Sequence, residues 1–294
     1  MASSESGTTT RYREKKPWRK ILYEDQGYPD DYVDSSFLEE LKKNLHVRSY
    51  SYGMLVCAST SITQQLSSVG LFVAMFFNME DRMLSPQVLW ALASAVTVLG
   101  YVVNQSLAWY YRQQPVPALL VKHLKTCVLF QGFSAFLSPV LASLTETIST
   151  DTIYAMTALM FAGYLLFYNY HTLDGDVPGA VSLNAAVFAS VCLASRLHTA
   201  WHAFTTVTIS FEMFALWPIL QNTLKEFHYR GHVIVTLVIS LVCTLCLLPK
   251  TVVGAVLYLT AAIFVTFVCP AWLFHIQPLK NNIYGPWDEA VVKT

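Results

Sequence analysis

Charge is what this chain has least of. Only 13% of its 294 residues are Asp, Glu, Lys or Arg, about half the roughly 25% usual in soluble domains. Over so long a chain, most residues then have no water to face. The formal net charge is zero, so no electrostatic footprint for nucleic acid is present. A secretory leader is missing as well: Arg11, Arg13, Lys15, Lys16, Arg19 and Lys20 are not followed by an apolar core. The six cysteines all fall in apolar stretches and imply no disulfide framework; Cys243-x-x-Cys246 has no second pair or neighbouring histidine to complete a metal site. Phosphate-binding glycine loops, a dinucleotide fingerprint and a serine nucleophile elbow are all absent. No cofactor and no metal are expected.

What is present is apolar: 54% of the residues are hydrophobic and the mean hydropathy is +0.42. About 20 apolar residues span the hydrocarbon core of a bilayer as a helix. Eight stretches qualify, at 52–79, 88–111, 126–144, 152–170, 180–197, 201–221, 232–249 and 251–276. Pro249 leaves the division between the last two open, as a loop or a kink. Basic residues test the count, because they collect in short cytosolic loops. With a cytosolic N-terminus and eight spans, sixteen of the 19 basic residues fall inside, and only Arg82, Arg196 and Lys250 fall outside. The pattern predicts an all-α, polytopic transmembrane bundle with both termini cytosolic. Its parts are a cytosolic region 1–50, a transmembrane bundle 51–276 and a cytosolic tail 277–294. Within the first part, residues 36–45 read as an amphipathic helix, with Ser36 and Glu39 as a capping box and Phe37, Leu38, Leu41 and Leu45 on one face. The sequon at Asn104 falls within the second span, where it goes unused.

Few residues invite chemistry, and each has a plain structural alternative. Asp174-Gly175-Asp176 has the spacing that holds a divalent metal against a sugar diphosphate, but it lies among Gly and Pro in a short turn. Asp151 opens the fourth span behind Thr150, as helix-start chemistry requires, with Glu146 across the same loop. Glu212 is the acid well inside a span, and a group at that depth is a functional candidate by default; Arg196, near the lumenal end of the preceding span, is its candidate partner. His198 and His202 share a helix face without a third ligand. Arg196, Glu212, Asp151 and Trp287 are therefore candidates for structural or lipid contacts, and no catalytic residue is assigned.

A string of motifs carries a resemblance: Trp18-x-x-x-Leu22-Tyr23-Glu24, Pro29-Asp30-Asp31-Tyr32-Val33-Asp34, Ser149-Thr150-Asp151-Thr152-Ile153-Tyr154-Ala155-Met156, Phe188-Ala189-Ser190-Val191-Cys192-Leu193-Ala194-Ser195-Arg196-Leu197, Phe214-Ala215-Leu216-Trp217-Pro218 and Gly285-Pro286-Trp287-Asp288-Glu289-Ala290. From about Trp18 to Ala290 the chain resembles the PIG-C family, the C subunit of the phosphatidylinositol N-acetylglucosaminyltransferase complex. The resemblance implies a multispanning, non-catalytic subunit in the endoplasmic reticulum membrane. The complex would move GlcNAc from UDP-GlcNAc to phosphatidylinositol, the first step of GPI-anchor synthesis, with catalysis on the PIG-A subunit. The implied partners are the other subunits, phosphatidylinositol and membrane lipid. The family pattern requires an acid neither at 212 nor in the Asp174–Asp176 loop. A lipid or solute transporter is the alternative; it needs a set of intramembrane polar groups, for which Gln64, Gln65, Asn104 and Glu212 are the scattered candidates.

Overall fold

A computed structural model describes residues 25–29, 32, 42–43, 50–112, 116–143, 148–170, 179–279 and 283–284. Eight helices run through them: α1 (Tyr52–Glu80), α2 (Pro86–Arg112), α3 (Val116–Ser143), α4 (Thr150–Phe167), α5 (Ala180–Ala194), α6 (Ala200–Phe227), α7 (Tyr229–Leu247) and α8 (Val252–Leu279). Several starts have a local cause. Ser51, Ser149 and Thr199 sit in extended backbone and accept hydrogen bonds from the amides of Met54, Thr152 and His202, which satisfies otherwise orphaned donors. α6 and α8 each contain one π turn, at Glu212–Leu216 and Phe264–Val268.

Contacts divide the chain into two units, Tyr50–His275 and the two ends, Met1–Ser49 with Ile276–Thr294. In the second unit, β1 (Lys42–Lys43) pairs antiparallel with β2 (Ile283–Tyr284). This corrects the helix expected over 36–45. Lys42 and Lys43 are extended, because a β-branched and an aromatic residue far along the chain offer a ladder partner that outweighs weak local helix propensity. The rest of that expected helix lies outside the described residues.

Within Tyr50–His275 the helix termini sort into two ends. At one end Tyr154 donates to the Glu80 carboxylate at 3.2 Å, and Lys250 pairs with Asp81 at 2.6 Å. At the other, Tyr111 stacks on Phe227 at 4.6 Å, Lys225 reaches the Tyr170 carbonyl at 3.4 Å and Tyr52 meets Phe274. The helices therefore run up and down. The aromatic core lies where α1, α4 and α6 meet: Phe72 contacts Phe161 and Phe214, and Tyr164 lies edge-on to Phe214 at 5.0 Å. Small residues bring the backbones together. Ser182, Ala186, Ala189 and Ser190 are buried on α5, as close helix approach in an apolar medium requires.

The outer surface is apolar. Val98, Leu99, Leu166, Leu237 and Val253 are each more than 60% exposed. Five helices, α2, α4, α6, α7 and α8, are long and apolar enough to cross a membrane. α5, at 15 residues, is about 22 Å long and shorter than the hydrocarbon core. α3 begins at Val116, ten residues before the expected 126, because its first turns carry Lys122, His123 and Lys125 and read as a loop. Pro249 lies in the turn between α7 and α8, so the residue is a loop rather than a kink.

Candidate functional site, a hydrogen-bonded seam along α1

α1 is an apolar helix with a polar ridge, and the ridge faces inward. Ser59, Thr63 and Ser67 recur every fourth residue, so they share one face; Gln64, Gln65 and Ser68 lie beside them, and all six are buried. Buried polar side chains in a nonpolar medium need partners, and four other helices supply them. From α8, Thr266 Oγ1 lies 2.7 Å from Thr63 Oγ1, and the Tyr258 hydroxyl lies 2.6 Å from Ser67 Oγ while donating to Ser240 of α7 at 2.9 Å. The Gln65 amide donates to Gln221 of α6 at 2.6 Å and accepts from the Tyr164 hydroxyl of α4. Thr236 of α7 points its hydroxyl at Gln64 Oε1, 3.3 Å away.

The seam is not fully satisfied. Gln64 Nε2, Gln221 Nε2 and both ring nitrogens of His232 are buried without a hydrogen-bond partner among the described residues. His232 is 2% exposed. Amides, hydroxyls and an imidazole in this arrangement bind helices to one another and can accept further polar groups. Among the described residues, no group of three His, Cys, Asp or Glu comes together.

The residues singled out from sequence lie away from this seam. Asp151 is in the first turn of α4 behind the Ser149 cap, and its charge acts on Tyr154. Arg196 follows α5, where its charge acts on Tyr154 and Cys192. Asp151 and Arg196 thus share the end of the bundle that carries Glu80 and Tyr154. Glu212 is elsewhere, about three turns along α6 from Ala200. The structure does not bring Arg196 and Glu212 together: the side chain that hydrogen-bonds the Glu212 carboxyl is Thr97 of α2. The separation along the helix between the start of α6 and its π turn is the reason. His202 accepts or donates to its own cap, Thr199 Oγ1, at 2.7 Å. Cys243 is buried against Gly70 and Tyr258. Glu146, Asp174, Asp176 and Trp287 lie outside the described residues.

Sequence reasoning misses Tyr164, Gln221, His232 and Tyr258, and treats Gln64 and Gln65 as scattered. The available signal is the fourfold recurrence of Ser59, Thr63 and Ser67 in an otherwise apolar helix, which marks an interior face.

An apolar exterior around a polar, hydrogen-bonded interior places the chain in the class of helical bundles built like multispanning membrane proteins. Its family follows from comparison: a phosphatidylinositol N-acetylglucosaminyltransferase family, GPI2, matches residues 18–288, and the chain belongs to it. The C subunit of the phosphatidylinositol N-acetylglucosaminyltransferase of Mus musculus is 43% identical over 276 residues, covering 94% of this chain and 93% of the relative. The putative C subunit from Dictyostelium discoideum is 38% identical, covering 94% and 79%. The GPI2 subunit of Schizosaccharomyces pombe is 32% identical, covering 95% and 88%. No solved structure matches the chain.

Proposed function

We propose that this chain is the multispanning C subunit of the complex that transfers GlcNAc from UDP-GlcNAc to phosphatidylinositol, in the endoplasmic reticulum membrane. The observation that carries the reading is the 43% identity to a protein of that name, along nearly the whole of both chains. In this reading the chain crosses the bilayer eight times, with both termini in the cytosol. The sorting of helix ends supports it, since Asp81 meets Lys250 and Glu80 meets Tyr154 at one end only, and the basic residues concentrate on the opposite side. α1 spans with its polar ridge turned away from lipid. α5 spans despite its length because α4 and α6 flank it.

The subunit is non-catalytic in this proposal. Apolar and seam-forming helices take up residues 52–279 almost entirely, so the nucleotide-sugar chemistry falls to a partner, PIG-A, with the cytosolic ends as its point of contact. The phosphatidylinositol acceptor reaches the complex through the surrounding lipid.

The test is GlcNAc transfer in microsomes from cells lacking the chain, supplied with labelled UDP-GlcNAc. Loss of GlcNAc-phosphatidylinositol, restored by adding the chain back, is the expected result. Undiminished product without the chain would overturn the proposal.

A further inference from the structure

Glu212 is half-buried at mid-depth in α6, with twelve residues of the helix on one side of it and fifteen on the other. A carboxyl at such depth is costly unless a partner receives it. Among the described residues its partner is one hydroxyl, Thr97, and a carboxyl accepts several hydrogen bonds. It also opens the π turn Glu212–Leu216, a distortion often found at functional positions.

The surroundings form an unfilled cleft. Thr208, Phe211 and Glu212 lie on one face of α6. α3 packs on that face through Phe130, 4.3 Å from Phe211, and through Gln131, which accepts from Thr208 at 3.3 Å. α2 packs beside it, with Gly100 admitting Leu220 to within 3.3 Å of its built Cβ. Across the cleft Tyr101 of α2 meets His123 of α3 at 3.1 Å. On α2, Thr97, Tyr101 and Asn104 share a face at helical spacing. Asn104 Oδ1 is buried and has no hydrogen-bond partner among the described residues. Two acceptors, Glu212 and Asn104, therefore stand about two turns apart along one cleft, and no donor from the described chain completes them.

We infer that this cleft seats a transmembrane helix of another subunit, one that presents a hydrogen-bond donor at the depth of Glu212 and a second about two turns toward the α2 C-terminus. Acceptor complementarity selects this occupant over acyl chains, which have no donor to offer. Hydrogen bonding rather than charge is the recognition element, so a glutamine at 212 serves as well. The inference rests on the reading of the chain as a subunit of a membrane complex.

The test uses the full chain in cells lacking the endogenous copy, with a photo-crosslinking amino acid at Tyr101 and, as control, at Val256 on the outer face of α8, which is 55% exposed. The expected result is an adduct between Tyr101 and a membrane-spanning subunit that co-purifies with the chain, absent from Val256. Glu212→Leu lowers that adduct about tenfold, the equivalent of one good intramembrane hydrogen bond, and Glu212→Gln preserves it. Asn104→Leu lowers it independently, which covers the case in which Glu212→Leu reduces the amount of folded chain. Adducts with lipid only, or a subunit adduct indifferent to both leucine substitutions, would overturn the inference. GlcNAc-phosphatidylinositol synthesis is read in the same membranes. If the unaltered chain fails to restore it, the proposed function falls, whatever the adducts show.

Discussion

α1 and α2 are neighbours in sequence and similar in length, yet they live in different environments. α1 gives its polar ridge to four other helices and carries buried residues along most of its length. α2 packs on α6, and only 11% of its most apolar window is buried, against 56% for α6. In lipid, helices gain little by hiding apolar surface from one another, so packing and polar pairing decide which of them hold together. By that criterion the α1 side of the bundle is fixed internally, and the α2 and α3 side is left facing outward. The difference teaches that composition alone does not locate the structural centre of a membrane bundle; the direction of its few polar side chains does.

That contrast can be broken most severely at Gln65. Gln65→Leu removes the acceptor of Tyr164 and the donor to Gln221 together, and leaves two buried polar groups without partners. A loss of about 2–3 kcal/mol is expected, seen as a lower midpoint in thermal melts of the detergent-purified chain. An unchanged midpoint would show that the seam is incidental. Next comes Gly70, where an added Cβ would lie 2.7 Å from Cys243 Sγ. Gly70→Ala should cost about 1–2 kcal/mol through overpacking, and Cys243→Ala in the same chain should recover most of it; a double-mutant cycle measures the coupling.

Ser67→Ala sharpens the comparison from within the seam. It removes one contact of Tyr258, whose hydroxyl keeps Ser240, so the loss should be only about 0.6 kcal/mol. Lys250→Ala should do no more. Its pair with Asp81 is at the bundle's end, with the Asp81 side chain 58% exposed, and an effect of about 0.5 kcal/mol is expected, shrinking further in high salt. Smallest of all is Leu99→Ala on the open face of α2, 64% exposed, which should leave the melt of the isolated chain within about 0.5 kcal/mol of the parent. A large effect there would mean that α2 is held by contacts the bundle does not display.

Much of the fold is legible as hydrophobic runs. The eight expected stretches each overlap one of the eight helices, because an unbroken apolar run leaves a chain few alternatives to helix. Legibility fails where a helix runs past its apolar run. α3 extends back through Lys122 to Val116, and α6 continues from 221 to Phe227, where Tyr111 stacks on it. The π turns have no signature in residue type. Lys42 and Lys43 do not read as strand because the partner strand is some 240 residues away, beyond any local pattern. The seam is half visible: glutamines in a span announce a polar contact, but nothing local says that Gln65 finds Gln221 and Tyr164 rather than an open pathway. Depth alone singles out Glu212, while its pairing with Arg196 assumes that two helices adjacent in sequence align their charges.

The seam also has a history in time. The partners α1 finds on other helices lie later in the chain: Tyr164 is 99 residues on, Gln221 is 156 and Tyr258 is 191. At the roughly 5–20 residues per second of synthesis, Ser67 waits about 10–40 s for Tyr258 to be made. During that interval α1 is already out of the ribosome with Gln64, Gln65 and their neighbours uncovered. The helix that anchors the finished bundle is therefore the one most in need of shelter while the bundle is being built, and a stalled or truncated chain would display that ridge in full.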